Sequence, residues 1–584
     1  MLSRLAGWTW RKNAPQSSKS PLSPTASTSV TDPTTRKPYK AGDFSIDDWR
    51  PMKVICIGAG YSGITSAIRF QQRVPNLELK IYEKAAGVGG TWYANKYPGV
   101  ACDVPSHSYQ LSFEERAHWS GLYSPGPEIL ANMESVVDKY KIRKYIHLQH
   151  ELIHARWDED SSKWVVRIRR GGDQGEVFED TCDVLFLCIG SLNRWHWPDI
   201  EGLKDFGGRL VHSAQWDGAD GAWEYEVKDR NVGVIGNGSS GIQTVAAIHP
   251  KVKTLVNYAR RETWIATTIF GENLTKLLGR EPGDTNMSFT EEEQKAFSDP
   301  EKFRRFRHAL EGELNSIHSL SIRGSEVQKA TKAAFEEDMK KKMAGKPGLA
   351  EKTTRLSDAK MSTFETTPIK RVTRTGVELV DGRHNDLDVL VCATGFDVTY
   401  HYPFDVVGKG GQKLNDRWTP YAEAYMSMAV DGFPNLFFAY GPNSGLNSGS
   451  ILVIVEKQVD YAVAATLKLQ RERLKSMEVK KEATQDWVEH MRDYFPKTVY
   501  SEECHSWYKV QDGTVVGLWP GSALHCVRTL SNPRWEDYNY GPLDKTHNRL
   551  YWLGAGQTEN ERTMSGDRAW YLDNVDVPPI PESD

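Results

Sequence analysis

The sequence predicts an α/β protein with two Rossmann-like dinucleotide-binding domains, an antiparallel β-meander and a helical insertion. Two Gly-x-Gly-x-x-Gly fingerprints, at residues 58–63 and 236–241, each follow a short apolar run and precede a helical pattern. Between them, apolar and polar residues alternate over 146–182, which predicts the meander. Residues 275–345 lose this alternation and show helical spacing instead, which predicts the insertion.

The first fingerprint has the physical features of a nucleotide cradle. The first glycine allows a tight turn, the second lets the backbone approach a pyrophosphate, and the third lets the helix pack on its strand. We therefore expect cofactor contacts from Gly58, Gly60, Tyr61, Ser62 and Gly63. Glu83 ends the next apolar run. A carboxylate there binds ribose hydroxyls and disfavours a 2′-phosphate.

The second fingerprint predicts a nucleotide site of opposite preference. Its expected cofactor-binding residues are Gly236, Asn237, Gly238, Ser239, Ser240, Gly241 and Gln243. The following strand ends at Arg260 and Arg261, where the first unit carries Glu83. Because arginine binds phosphate bidentately, this pair predicts recognition of the 2′-phosphate of NADPH.

Composition excludes several classes of function. The chain has 584 residues, 26% of them charged, and a net charge of −4, so no global electrostatic argument favours nucleic acid. We expect no membrane span, because no apolar run approaches about 18 residues. The seven cysteines include no Cys-x-x-Cys pair, which indicates a reduced compartment rather than a disulfide framework or zinc ribbon.

The domain boundaries follow from these patterns. Residues 1–48 are basic and rich in Ser, Thr and Pro, and we expect a disordered tail and a cytoplasmic protein, although the start weakly resembles a mitochondrial transit peptide. We expect residues 49–190 to begin the first nucleotide domain and 191–380 to form the second, with the insertion at about 275–345. Residues 381–584 would complete the first domain and add a C-terminal tail.

One motif matches a zinc-binding pattern, but the residues around it predict the wrong secondary structure for a metal site. His150-Glu151-Leu152-Ile153-His154 matches the His-Glu-x-x-His pattern of zinc proteases, which requires a helix to place both histidines on one face. The flanking alternation predicts a strand, where the two rings would lie about 13 Å apart. We therefore predict no metal site here.

Residues 89–103 read Gly-Gly-x-Trp-x-x-x-x-Tyr-Pro-Gly-x-x-x-Asp. This resembles a fingerprint of class B flavoprotein monooxygenases of the type I Baeyer–Villiger family. The resemblance implies FAD in the first cradle. It also implies flavin contacts from Thr91, Trp92, Asp103, Val104 and Tyr109.

A second stretch, Phe206-x-Gly208-x-x-x-His212-x-x-x-Trp216-Asp217, resembles the same family at every defined position. The resemblance implies that His212 couples the two domains and the nicotinamide cofactor without acting as a direct acid or base. The segment around Trp507 resembles a family loop that closes over NADP.

Residues 346–374 depart from the family pattern, because the segment is shorter than expected. In the family, one arginine of this segment contacts the flavin. Arg355 is the nearest candidate here, and Arg371 is a weaker one because it begins a strand. The expected catalytic set is therefore Asp103, Arg355 and His212, with Asp103 holding the cation.

The resemblance implies that NADPH reduces FAD and that the reduced flavin uses O₂ to convert a small-molecule ketone into an ester or lactone, in secondary metabolism of the fungal type. Two alternatives stay open. One is a flavin monooxygenase that oxygenates nitrogen or sulfur, or hydroxylates. The other is a catalytically silent paralogue that binds nucleotides, suggested by the shortened segment. The substrate and the oligomeric state are not encoded in these motifs.

The arginine pair gives a direct test of nucleotide preference. Replacing Arg260 and Arg261 together by Ala removes the predicted charged contacts to the 2′-phosphate. The KM for NADPH should then rise by about 10- to 100-fold, the scale of lost charged hydrogen bonds. Steady-state rates with NADPH and NADH measure this, and equal use of both by the unmutated protein would contradict the assignment.

Overall fold

The computed structural model describes residues 38–216, 222–259, 276–281, 288–343, 362–446, 448–503, 506–510, 512–546 and 548–572. All structural statements refer to these ranges. Most of the predicted tail, together with Arg260, Arg261 and Arg355, lies outside the described residues.

The strands, numbered in chain order, are β1 Met52–Ile57, β2 Leu77–Glu83, β3 Ile146–Leu148, β4 His150–Asp158, β5 Lys163–Arg170, β6 Glu176–Cys182, β7 Val184–Leu187, β8 Arg209–His212, β9 Asn231–Ile235, β10 Thr254–Tyr258, β11 Ser362–Glu365, β12 Ile369–Val372, β13 Gly376–Leu379, β14 His384–Asp386, β15 Val389–Cys392, β16 Asp405–Val407, β17 Leu436–Phe438, β18 Leu474–Val479 and β19 Tyr538–Pro542.

The α-helices are α1 Tyr61–Arg73, α2 Thr91–Ala94, α3 Gly126–Lys139, α4 Ala222–Val227, α5 Ser239–Ile248, α6 Glu291–Phe297, α7 Pro300–Ser316, α8 Glu326–Met343, α9 Leu414–Arg417, α10 Ile451–Arg471, α11 Lys481–Tyr494, α12 Ala523–Leu530 and α13 Glu559–Arg562.

The first nucleotide domain is built on a parallel sheet with the strand order β17-β7-β1-β2-β3. The β1 strand pairs in parallel with β2 on one side and β7 on the other. All four residues of β7 are buried, as its continuous apolar sequence predicts. This arrangement confirms the first Rossmann-like unit.

The predicted meander is present as the antiparallel strands β4, β5 and β6, with β16 added in parallel beside β4. His150 and His154 both lie in β4, so the prediction of a strand rather than a zinc-binding helix is confirmed. The His150 Nδ1 atom lies 2.7 Å from the carbonyl oxygen of Leu148. Residues 146–148, predicted to belong to the meander, instead form the edge strand of the first parallel sheet.

The second domain has its own parallel sheet, in the order β11-β10-β9-β15-β8. Here the predicted boundary at residue 381 is too early. The β15 strand pairs in parallel with β9 and β8, so the chain leaves the second sheet only after Cys392. An apolar strand reads the same whichever parallel sheet it joins, and only the pairing partner distinguishes the two.

The third glycine of each fingerprint packs its helix against the preceding turn. A Cβ atom on Gly63 would lie 1.9 Å from the carbonyl oxygen of Gly58. A Cβ on Gly241 would lie 2.5 Å from the carbonyl oxygen of Gly236. Since neither position has room for a side chain, both glycines are required for the close helix–strand contact.

The predicted helical insertion contains helices with side-chain caps. Thr290 caps α6 in a full capping box with Glu293, and Asp299 caps α7. The insertion docks on the first domain around the fully buried His107, whose ring makes edge contacts with Phe289, Phe297, Phe303 and Phe306. Burial lowers the pKa of His107 to about 4, so the ring is neutral within this aromatic cage.

The described ends of the chain pack against each other. The Phe44 ring contacts Tyr551 at 5.4 Å between ring centres, and the Ser45 hydroxyl donates to Glu559 at 2.7 Å. Among the helices of the described ranges, none combines the length and apolar character needed to cross a bilayer.

The aromatic cage predicts a large stability effect. Phe306→Ala removes a side chain that is 5% exposed and leaves a cavity, so the free energy of unfolding should fall by about 3 to 5 kcal/mol. Val327→Ala, at a site 48% exposed on α8, is the control and should change it by less than about 0.5 kcal/mol. Urea denaturation measures both, and equal effects would contradict the caging role.

Candidate functional site

A cavity of about 2550 Å³ lies between the two nucleotide domains. Both fingerprints open into it, because the carboxyl ends of the parallel strands in each sheet face this space. The predicted site residues that line it are Gly58, Gly60, Tyr61, Ser62, Glu83, Thr91, Trp92, Asp103, Val104, Tyr109, Gly236, Asn237, Gly238, Ser239, Ser240, Gln243 and Trp507. Gly63, Gly241 and His212 do not line it.

The first cradle has the backbone strain and the acid that a nucleotide site needs. Gly58 has φ +110°, and a Cβ there would lie 2.5 Å from the Cys188 carbonyl oxygen. Glu83 is 7% exposed and accepts hydrogen bonds from the backbone N–H groups of Ala59, at 2.7 Å, and Ala85, at 2.8 Å. Each carboxylate oxygen has a second acceptor position for a ribose hydroxyl.

The second cradle repeats this geometry. Gly236 has φ +117°, and a Cβ there would lie 2.3 Å from the Ala393 carbonyl oxygen. A Cβ on Gly238 would meet no atom within 4 Å, so the backbone at this glycine borders open space at the start of α5. A bare backbone facing a cavity at a helix N-terminus is suited to a pyrophosphate.

Three aromatic residues form the wall beside the first cradle. Tyr109 accepts a hydrogen bond from the Trp92 indole N–H at 3.1 Å, and its ring lies edge-on to Tyr61. Burial raises the pKa of the Tyr109 hydroxyl well above its usual value, so it stays protonated. Asp103 is exposed to the same cavity.

The residue Gln243 has a role that its position in the fingerprint did not predict. Its side-chain oxygen accepts a hydrogen bond from the Tyr97 hydroxyl at 2.8 Å, and its amide donates to the Ala101 carbonyl at 2.9 Å. Both partners belong to the loop that precedes Asp103. The amide of Gln243 therefore connects the second fingerprint helix to residues 97–101 of the first domain.

His212 ends β8 and is fully buried behind the cavity wall. Its Nδ1 accepts from the Ala214 N–H at 3.2 Å, so Nε2 carries the proton and donates to the Thr394 hydroxyl at 3.2 Å. Its ring stacks on Trp195 at 4.3 Å. Burial, with a smaller contribution from His196, lowers its pKa to about 4, so the neutral form persists at physiological pH.

The connection between the domains contains a pair that the sequence analysis missed. Asp397, which follows β15, donates its backbone N–H to the Arg194 carbonyl at 2.8 Å. The two side chains also form an ion pair at 3.2 Å. Arg194 lies where the chain passes from the first domain to the second, and Asp397 lies where the chain returns. This contact therefore joins the two connections between the domains.

Two tyrosines in the cavity wall also escaped sequence reasoning. Tyr400 and Tyr440 have φ of +63° and +58°, a conformation rare for bulky residues and typical of functional sites. The buried Tyr400 hydroxyl and the Asn95 side-chain oxygen have no hydrogen-bond partner among the described residues, and both residues line the cavity.

Comparison with known proteins places this site in a family. Residues 56–124 match the model of an NAD(P)-binding Rossmann-like domain. The FAD-binding monooxygenase tazF of Aspergillus terreus is 36% identical over 547 residues, covering 90% of this chain and 95% of that protein. The chain belongs to the FAD-binding monooxygenase family. The Baeyer-Villiger monooxygenase of Pseudomonas aeruginosa is 33% identical, covering 81% of this chain and 88% of that protein.

Solved structures show the same fold. The closed form of cyclohexanone monooxygenase aligns with a TM-score of 0.69 at 23% identity, covering 84% of this chain and 100% of that chain. Oxidized steroid monooxygenase bound to NADP aligns with a TM-score of 0.66 at 25% identity and the same coverage. This chain is thus a flavin monooxygenase, an enzyme that uses FAD and NADP(H).

The lowered pKa of His212 predicts a pH effect on stability. Between about pH 6.5 and about pH 4, His212 is protonated in the unfolded chain but neutral in the folded protein. The free energy of unfolding should therefore fall as the pH drops through this window. The free energy of unfolding of the His212→Gln variant should fall less steeply over the same pH range, because the variant lacks this titrating ring. Urea denaturation between pH 4 and 7 measures both slopes, and identical slopes would contradict a buried neutral His212.

Proposed function

We propose that this monooxygenase inserts one oxygen atom of O₂ beside the carbonyl of a small-molecule ketone, giving an ester or lactone, with NADPH as the reductant. The observation that supports this most strongly is one cavity into which both nucleotide cradles open. The name of the Pseudomonas aeruginosa relative and the signature ending at the buried Trp216 support the Baeyer–Villiger reaction. The relative from Aspergillus terreus is a fungal FAD-binding monooxygenase, and we propose a role in secondary metabolism of the fungal type.

We assign FAD to the first cradle. Glu83 would accept the ribose hydroxyls, the backbone at Gly60 would border the pyrophosphate, and Thr91, Trp92 and Tyr109 would border the ring system. When bound, FAD supplies the electron transfer and oxygen chemistry that no protein side chain provides.

We assign NADPH to the second cradle. The backbone of Gly238 and the side chains of Ser239 and Ser240 at the start of α5 would meet the pyrophosphate. Arg260 and Arg261 would bind the 2′-phosphate. Trp507 lines the cavity with 45% of its surface exposed, and can cover the bound nucleotide. Excluding water from this space protects a reactive intermediate from side reactions.

The electrostatic part of the mechanism belongs to Asp103 and Arg355. The reaction develops negative charge on oxygen, and a positioned cation stabilises it. Asp103 lines the cavity, and we propose that it orients such a cation. Arg355 is the proposed cation, and this pairing stays a prediction from the sequence.

His212 acts as a positioning residue. Its protonated Nε2 holds the Thr394 hydroxyl, and Thr394 lines the cavity directly after β15. Because the ring is neutral and behind the wall, it does not exchange protons with the substrate. Its contact fixes the strand end at which the second domain returns to the first.

Oxygen insertion is tested with purified enzyme, NADPH and a panel of cyclic, linear and aryl ketones under ¹⁸O₂. Mass spectrometry should find an ester or lactone one oxygen heavier than a ketone of the panel, with one ¹⁸O atom. Oxygenation of amines or sulfides without any ester would assign the enzyme to the alternative class. NADPH oxidation that yields no oxygenated product from any of these would refute the proposal.

Asp103→Ala should separate NADPH oxidation from product formation. The variant keeps the FAD cradle, so it should purify with flavin bound. The cation that Asp103 orients in the unmutated protein would be displaced. Hydrogen peroxide formed per NADPH should rise while ester per NADPH falls. Asp173→Ala removes a carboxylate that is 93% exposed and remote from the cavity, and should leave coupling unchanged. Unchanged coupling in Asp103→Ala would remove this residue from the mechanism.

A further inference from the structure

The strand beside β10 ends in a carboxylate that faces the second cradle. Glu365 is the last residue of β11 and stands in register with Tyr258, the last residue of β10. Its backbone carbonyl accepts from the Ala259 N–H at 2.9 Å, and Ala259 directly precedes Arg260. Glu365 is 5% exposed and lines the cavity. It therefore lies next to the strand end where a Rossmann fold meets the adenosine ribose.

A bare carboxylate at this position conflicts with the nucleotide assigned to the cradle. The 2′-phosphate of NADPH is an anion, and two like charges in a buried site repel each other. An acid next to the ribose favours the nucleotide that lacks this phosphate, as Glu83 does in the first cradle. Selectivity for NADPH thus requires that the charge of Glu365 be cancelled within the protein.

Arg383 provides this cancellation. Its Nη1 and Nη2 atoms donate to the two Glu365 oxygens at 2.6 and 3.2 Å, a bidentate pair. The Nη2 atom also donates to the Thr367 hydroxyl at 2.8 Å, and Nε donates to Asp381 at 2.7 Å. Burial alone would raise the pKa of Glu365, but Arg383 and the Thr367 N–H lower it below its usual value. The carboxylate is ionised and held by this guanidinium.

We propose that Arg383 determines the preference of the second cradle for 2′-phosphorylated nucleotides by neutralising Glu365. The inference rests on the proposed use of NADPH and adds two residues to its recognition. Arg383 reaches the site from the turn between β13 and β14, outside both fingerprints, and it acts through Glu365 as a positioning residue. We call the Glu365–Arg383 pair the charge filter, because its net charge decides whether a 2′-phosphate is favoured. Removing Arg383 alone leaves the carboxylate of Glu365 unpaired, and the site then disfavours the 2′-phosphate.

The test measures nucleotide binding rather than turnover. Isothermal titration calorimetry of the FAD-loaded enzyme with adenosine 2′,5′-bisphosphate and with AMP gives a ratio of dissociation constants that isolates the 2′-phosphate. Arg383→Ala should reduce the preference for the bisphosphate by about ten-fold, the scale of one charged contact, while AMP binding stays unchanged. Glu365→Gln should keep or increase the preference. The double variant Arg383→Ala with Glu365→Gln should recover most of it.

The matched control lies in the same small sheet as the Arg383 turn. Arg371 pairs with Glu378 through Nε at 2.7 Å, and neither residue lines the cavity. Arg371→Ala should leave the ratio unchanged. An unchanged ratio in Arg383→Ala, or a double variant no better than Arg383→Ala, would overturn the inference. If the ratio shifts as expected while no ketone is oxygenated, the charge filter is supported and only the proposed oxygenation fails.

Discussion

The structure depends on one geometric constraint, which is that two parallel sheets must present their carboxyl edges to the same cavity. Each Rossmann-like unit could fold around its own nucleotide, but electrons can pass between nucleotides only if the two edges face each other. Two contacts described above contribute to this arrangement: Tyr97 with Gln243, and Arg194 with Asp397. Both use neutral or mutually paired groups, so neither leaves an unpaired buried charge.

The proposed cofactor of each cradle rests on the charged side chains near the ribose position. In the first, Glu83 accepts hydrogen bonds from two backbone N–H groups at the proposed ribose position. In the second, a carboxylate occupies a comparable place on the neighbouring strand, but Arg383 binds it through both oxygens. Under the proposed function, the same local fold would serve two nucleotides, because the acid has only backbone donors in one cradle and an arginine partner in the other.

Features determined by local chemistry were predictable from the sequence. The glycine spacing, the alternation in β4 to β6 and the helical spacing of the insertion each act within a few residues, and the structure bears them out. Features determined by distant partners were not predictable. Nothing near β15 indicates which sheet it joins, and nothing near Gln243 shows that Tyr97 lies opposite. The left-handed Tyr400 and Tyr440 and the Arg383–Glu365 pair likewise exist only through contacts made in the folded chain.

The central claim is that the two cradles of one chain face each other. It is tested most directly by reducing the bound FAD under anaerobic conditions with NADPH that carries deuterium at the transferred hydride position. Rapid mixing should show loss of the long-wavelength flavin absorbance at a saturating rate that is slowed by deuterium and independent of enzyme concentration. Such kinetics mean direct hydride transfer between two nucleotides held by the same chain. A rate that rises with enzyme concentration, or flavin that NADPH leaves oxidised, would contradict the account.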